Sequence, residues 1–142
     1  MPSRRPRKRI ESTTSPYRVF VSHATADKWI AKTICEKLEA LEGVVAFRDD
    51  RDIAGGDQIP LTLFTEIDRS DELLLLMTPT SVTRPWVLLE VGMAMFRRRI
   101  VPVCYNVEVN AIPALAMSRG FNLNELDQYL KELQARAIEA KS

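Results

Sequence analysis

The run "ELLLLMT" at residues 72–78 limits the possible folds of this 142-residue chain more than any other stretch. Its length and boundaries suit a β-strand. Its apolar character does not alternate, which suits a strand buried on both faces. Such burial requires a sheet with helices packed on each side, so the rest of the chain must supply those helices and the neighbouring strands.

The elements on either side fit that demand. "YRVFVSHA" (17–24) is a β-branched and aromatic run that breaks at polar residues. "DKWIAKTICEKLEAL" (27–41) sets Ile30, Ile34, Leu38 and Leu41 on one helical face, with Thr25 or Asp27 as candidate caps. "GVVAF" (43–47) reads as a strand, and "RDDRDIAGGDQ" (48–58) as an acidic loop. "IPLTLFTEIDRS" (59–70) aligns Ile59, Leu63 and Ile67, with Pro60 tolerated in a first helical turn. After the 72–78 strand, a loop leads to a helix from about Arg84 to Arg99. "RIVPVCY" (99–105) reads as a fourth strand, placed towards an edge by Pro102. A mostly irregular stretch precedes a short edge strand at 121–123 and an amphipathic helix over 124–140, with Leu126, Leu130, Leu133 and Ile138 as its apolar positions. Alternating β and α elements of this length predict an α/β, flavodoxin-like, doubly wound parallel sheet of five strands in the order 2-1-3-4-5, with helices on both faces. Ligands bind such folds at the C-terminal ends of the strands, where loops 22–27, 48–58 and 78–85 should gather.

Charge divides the chain. Residues 1–16 carry Arg4, Arg5, Arg7, Lys8 and Arg9 against Glu11, which makes the segment +4 and leaves −3 on residues 17–142. The first segment reads as a disordered solubilising tail, though "RRPRKR" also suits RNA, DNA or an anionic lipid surface. The folded part, 17–142, offers no global basic field for nucleic acid. No run approaches a membrane span, and no apolar h-region follows the basic start, so a cytoplasmic protein is expected. Cys35 and Cys104 lack metal or CxxC spacing and read as reduced, buried thiols.

One residue resists the apolar pattern. In "TRPWVLLEVGMAMF" (83–96), Glu90 is a lone carboxylate among Leu88, Leu89, Val91 and Met93. No Lys or Arg stands three or four residues away, so an intrahelical ion pair is excluded. The charge then lies on a solvated stripe, pairs with a cation from another element, or serves a ligand. Trp86, four residues earlier, shares its face near the expected cleft. An indole beside a carboxylate suits an electron-poor ring or a ribose diol, against plain core packing of the tryptophan.

Five pieces in order resemble the TIR (Toll/interleukin-1 receptor) family, of the bacterial sort, over about Tyr17 to Ala137. They are "RVFVSHATAD", "FRDDRDIAGGDQI", "LLLLMTPTSVTRPWVLLEVGMA", "RIVPV" and "FNLNELDQYLKELQARA". The second holds a D-x-x-x-I-x-x-G pattern from Asp49 to Gly56, within the BB-loop region Asp49–Gln58. The resemblance implies cleavage of NAD+, as substrate rather than cofactor, with Glu90 in the position of the catalytic glutamate of a W-x-x-x-E helix. It places Ser22, His23 and Ala24 in the lining of the nucleotide pocket, with Asp49 and Ser81 nearby. His23 then reads as a hydrogen-bonding loop residue, because no nucleophile with an orienting third group accompanies it. The resemblance also implies self-association through the BB loop. The chain's size resembles the TIR subunit of a Thoeris-like anti-phage system, which signals to a separate effector. The alternatives are a non-catalytic TIR–TIR interaction module and, more weakly, an enzyme of the nucleoside deoxyribosyltransferase type. A receiver domain is disfavoured: Ser-His-Ala follows the first strand where acids belong, and "VPVCYN" lacks the expected Lys. No metal is expected at Asp49, Asp50 and Asp52.

Overall fold

In a computed structural model, residues 15–48 and 61–141 are described. Strands form at Tyr17–Ser22 (β1), Val44–Arg48 (β2), Glu72–Met77 (β3), Arg99–Cys104 (β4) and Phe121–Asn122 (β5). Helices form at Lys28–Glu39 (α1), Leu61–Arg69 (α2), Pro85–Ala94 (α3) and Leu126–Lys141 (α4). The strands are parallel and lie in the order β2-β1-β3-β4-β5, as the element pattern predicts.

The central strand shows why its sequence does not alternate. Leu74 and Leu76 join Ile34 and Leu38 of α1 and Tyr129, Leu133 and Ala137 of α4 on one face. Leu73, Leu75 and Met77 join Leu63 and Ile67 of α2 and Trp86, Val87 and Val91 of α3 on the other. Every side chain of β3 therefore meets a helix layer. Each buried leucine contributes about 1.5–3 kcal/mol of transfer free energy.

Three local expectations change. The helix expected to run to Arg99 stops at Ala94, whose carbonyl accepts the backbone N–H groups of both Arg97 (3.0 Å) and Arg98 (2.9 Å). On α4 the inward stripe is Tyr129, Leu133 and Ala137, and Ile138 is 60% exposed. Pro102 lies on an internal strand rather than an edge. β5 pairs only with Val103 and Cys104, so Pro102 has a sheet neighbour on the β3 side alone.

The run at 72–78 is also not wholly apolar in effect. Glu72 is fully buried, and its carboxylate accepts hydrogen bonds from Tyr17 Oη (2.7 Å), Tyr129 Oη (2.6 Å), and Arg136 Nε and Nη2 (both 3.0 Å). A bidentate guanidinium and two phenols satisfy the charge, tying α4 to the N-terminal ends of β1 and β3. Burial first, then the Glu72 hydrogen bond, raises the Tyr17 phenol well above its usual range. Burial and the Glu72 charge do the same to Tyr129. Cys104 is buried, and burial raises its thiol pKa, whereas Cys35 is only half-buried, not buried as its place on an apolar helical face predicts.

Candidate active site

Local sequence rules fix where α3 begins. Arg84 precedes a proline and is extended (φ −86°, ψ 123°), while Pro85 occupies the first helical turn. That start puts Trp86 in the first turn and Glu90 one turn later, on the face that packs against the sheet. Trp86, Val87, Glu90, Val91 and Ala94 are the buried residues of α3. Glu90 is 1% exposed, which rules out a solvated stripe.

Across from it, β1 ends at Ser22, which is fully buried. Its hydroxyl donates to Glu90 Oε1 at 2.5 Å. This contact joins the C-terminal end of β1 to α3 and orients the carboxylate. His23 and Ala24 continue the chain beyond Ser22 and are also buried; the Nδ1 of His23 lies 2.8 Å from the Ala24 carbonyl oxygen.

A pocket of about 80 Å³ opens beside this pair, lined by His23, Ala24, Thr25, Ala26, Arg84, Trp86 and Val87. Sites for whole drug-sized ligands usually run to about 300–1,000 Å³, so this space suits one end of a nucleotide rather than all of it. The Nε1 of Trp86 is buried and has no acceptor among the described residues. A buried donor without a partner costs about 1–3 kcal/mol, and a ligand acceptor would remove that cost.

Ser81 is brought close by a different set of bonds. Its hydroxyl donates to the Leu76 carbonyl (2.8 Å) and accepts from the Thr78 backbone N–H (2.8 Å). The Thr78 hydroxyl in turn donates to Asp27 Oδ2 (2.7 Å). Asp27 therefore stitches the loop after β1 to the loop after β3, and makes no side-chain capping bond to α1. Ser81 is fully buried and does not line the 80 Å³ pocket; it shapes the turn that leads into α3. Asp49 and the Asp49–Gln58 loop lie outside the described residues, as do Asp50 and Asp52. Among the described residues, no group of three or more His, Cys, Asp or Glu could hold a metal ion.

The structure thus gathers His23, Ala24 and Trp86 on one pocket and places Ser22 and Glu90 behind its wall, joined by one hydrogen bond. Two contributions were not legible beforehand. Arg84 is exposed at the pocket, and its only sequence signal was a place before a helix-starting proline. The Ser22–Glu90 bond spans 68 residues, beyond the reach of any spacing rule.

The family model for the TIR domain matches residues 19–137. No curated protein sequence matches the chain. Among solved structures, a metazoan TIR-STING receptor from C. gigas in complex with 2',3'-cGAMP is similar at 24% identity and a TM-score of 0.68, over 84% of this chain and 40% of that one. The chain therefore spans well under half of that receptor's length. The TIR domain of the Toll-related receptor TRR-2 from Hydra magnipapillata is similar at 20% identity and a TM-score of 0.61, over 86% of this chain and 94% of that one. The TIR domains of the activated Roq1 resistosome, which recognises the pathogen effector XopQ, are similar at 20% identity and a TM-score of 0.56, over 88% and 75%. At these identities the likenesses speak for the fold.

Proposed function

The chain belongs to the TIR-domain family, and on that premise we propose that it is an NAD+ nucleosidase with Glu90 as its catalytic carboxylate. The observation that carries this reading is the buried Ser22–Glu90 pair, set one helical turn from Trp86 at the C-terminal end of the sheet. In the reaction, the bond between ribose C1′ and the nicotinamide nitrogen breaks. Its electron pair returns to the ring, so nicotinamide leaves neutral and needs no acid. A water oxygen, or in a cyclising reaction a nitrogen of the adenine, then bonds to C1′. A water attacker gives up one proton to the solvent. What the protein must supply is orientation and stabilisation of positive charge on the ribosyl centre, and a carboxylate in a dry site supplies both. Ser22 holds that carboxylate in place. Trp86 offers a ring face and an N–H in search of an acceptor, and Arg84 stands where a diphosphate would pass. His23, Ala24 and Asp49 complete the substrate-binding set, and Ser81 acts indirectly by shaping the turn that leads into α3.

The finer reading is that of a cytoplasmic, assembly- or ligand-activated enzyme of bacterial immune signalling, comparable to the TIR subunit of a Thoeris-like anti-phage system. Self-association through the Asp49–Gln58 loop would switch it on. Among the described residues no helix is long and apolar enough to cross a membrane.

One observation favours a second reading, a non-catalytic TIR–TIR interaction module. Glu90 is 1% exposed and does not line the neighbouring pocket, as suits a structural carboxylate. Titrating NAD+ against the purified chain separates the two. Saturable nicotinamide release that Glu90→Gln abolishes supports the enzyme. Concentration-dependent self-association without release supports the module.

A further inference from the structure

Two cavities at opposite ends of the sheet are held in different ways. The larger, about 580 Å³, lies where β1 and β4 begin, with Arg18, Arg69 and Arg97–Arg99 standing among Asp68 and Asp71. Its charges offset one another through partly exposed ion pairs, Arg97 Nη2 to Asp68 Oδ1 at 3.0 Å and Arg18 Nη2 to Glu66 Oε1 at 3.1 Å, which fix little. The 80 Å³ pocket is held by hydrogen bonds from buried hydroxyls. One wall is the stretch 23–26, and the other is Arg84, Trp86 and Val87 at the start of α3. Ser22, just before the first wall, bonds to Glu90 of α3. Asp27, just after it, accepts the Thr78 hydroxyl at 2.7 Å. The first wall is thus tied at both of its ends.

The Asp27 bond breaks a local rule. Asp27 stands at the N-cap of α1, where an aspartate normally accepts backbone N–H groups of the first turn. It makes no such bond, and α1 starts without a side-chain cap. Its carboxylate instead meets a residue 51 positions along the chain. The donor side is rigid. Thr78 is 3% exposed, and its Oγ1 also accepts the Ser81 N–H at 3.0 Å. The Val82 N–H bonds back to the Thr78 carbonyl at 3.2 Å, and the Arg84 N–H to the Ser81 carbonyl at 3.1 Å. From Thr78 to the second wall, therefore, the chain is a run of hydrogen-bonded turns. The sheet does not duplicate this link. β1 and β3 are paired only as far as Ser22 and Leu75. Beyond that point, Asp27 and Thr78 join loop to loop.

We infer that Asp27 is a positioning residue: through Thr78 it fixes the separation of the pocket walls, and so how tightly the ring-bearing end of the substrate is held against Trp86. The inference rests on the reading of this pocket as part of the NAD+ site. Asp27 does not line the pocket, so it acts through the 23–26 wall and not on the reacting atoms. The Ser22–Glu90 bond is separate from it, so the carboxylate stays oriented when the Asp27 link is cut. A ligand gripped between two walls loses ground-state and transition-state binding alike when they part. Loss of the link therefore shows in KM and spares kcat.

Steady-state nicotinamide release from NAD+ by the full chain tests it. Asp27→Ala and Thr78→Val should each raise KM about fivefold and leave kcat within about twofold. The double variant should be no worse than either single one, since both cut the same bond. Thr78→Ser keeps the hydroxyl and should restore the unaltered KM. A second measurement needs no turnover. In a Trp29→Phe background Trp86 is the remaining tryptophan. Acrylamide should quench its fluorescence more strongly in Asp27→Ala and Thr78→Val, but not in Thr78→Ser. The inference is overturned if kcat falls while KM holds, if the two single effects add in the double variant, or if Trp86 is quenched equally in every variant. A chain that releases no nicotinamide removes the NAD+ reading alone, and the quenching comparison then decides the spacing of the walls by itself.

Discussion

Glu72 and Glu90 are both buried carboxylates, and their partners give them different roles. Glu72 takes two phenols and a bidentate guanidinium and lines neither the 80 Å³ pocket nor the 580 Å³ cavity. Glu90 takes the Ser22 hydroxyl at 2.5 Å beside a space that Trp86 lines. If Ser22 orients the reacting carboxylate, Ser22→Ala should lower kcat for NAD+ cleavage about tenfold and leave KM nearly unchanged, since a positioning bond acts mainly in the transition state. Arg84→Ala should do the reverse, raising KM severalfold with little effect on kcat; steady-state kinetics separate the two patterns. The i, i+4 spacing made the pairing of Trp86 with Glu90 legible in sequence, because a helix sets that geometry locally. It could not reveal Ser22, which meets Glu90 only once β1 and α3 have packed.

Among the elements, α4 depends most on a single polar anchor. Arg136 contributes both guanidinium bonds to Glu72, with 21% of its side chain exposed. Arg136→Ala leaves a fully buried carboxylate with phenols alone, and should destabilise the fold by about 3–5 kcal/mol in urea unfolding. The same anchor sets an alkaline limit. Tyr17 and Tyr129 have folded-state pKa values above the usual 10.0. The folded state therefore holds their protons where the unfolded state releases them. Their contribution is complete below about pH 10 and falls as pH rises beyond it. Tyr17→Phe/Tyr129→Phe should flatten the decline of unfolding free energy between neutral and strongly alkaline pH. The sequence made the burial of 72–78 on both faces plain, since four consecutive leucines allow little else. It gave no sign that Glu72 belongs to that interior, because its partners stand 55 to 64 residues away. Periodicity misassigned the inner stripe of α4 because it ranked Ile138 as apolar and left Tyr129 aside. Yet Tyr129 has a buried hydrogen-bond partner and Ile138 faces outward.

For the whole molecule, the topology separates two regions of different chemistry. The C-terminal ends of the strands carry Ser22, Trp86 and Glu90, and the N-terminal ends carry the arginine cavity. The strand order and the rim position of Glu90 follow from the alternation of elements and the handedness of their connections. The arginine cavity does not, because Arg18, Arg69 and Arg97–Arg99 come from three separate stretches that meet only in the fold. If assembly activates the enzyme, specific activity should rise with protein concentration in step with the large species on size exclusion. A flat profile would argue for a monomeric catalyst. The most direct test of the central claim is nicotinamide release from NAD+ by the assembled fraction, measured beside Glu90→Gln of matching stability. The account predicts release by the unaltered chain and a loss of at least about a hundredfold in the variant. Equal release from both, or none from the assembled fraction, would contradict it.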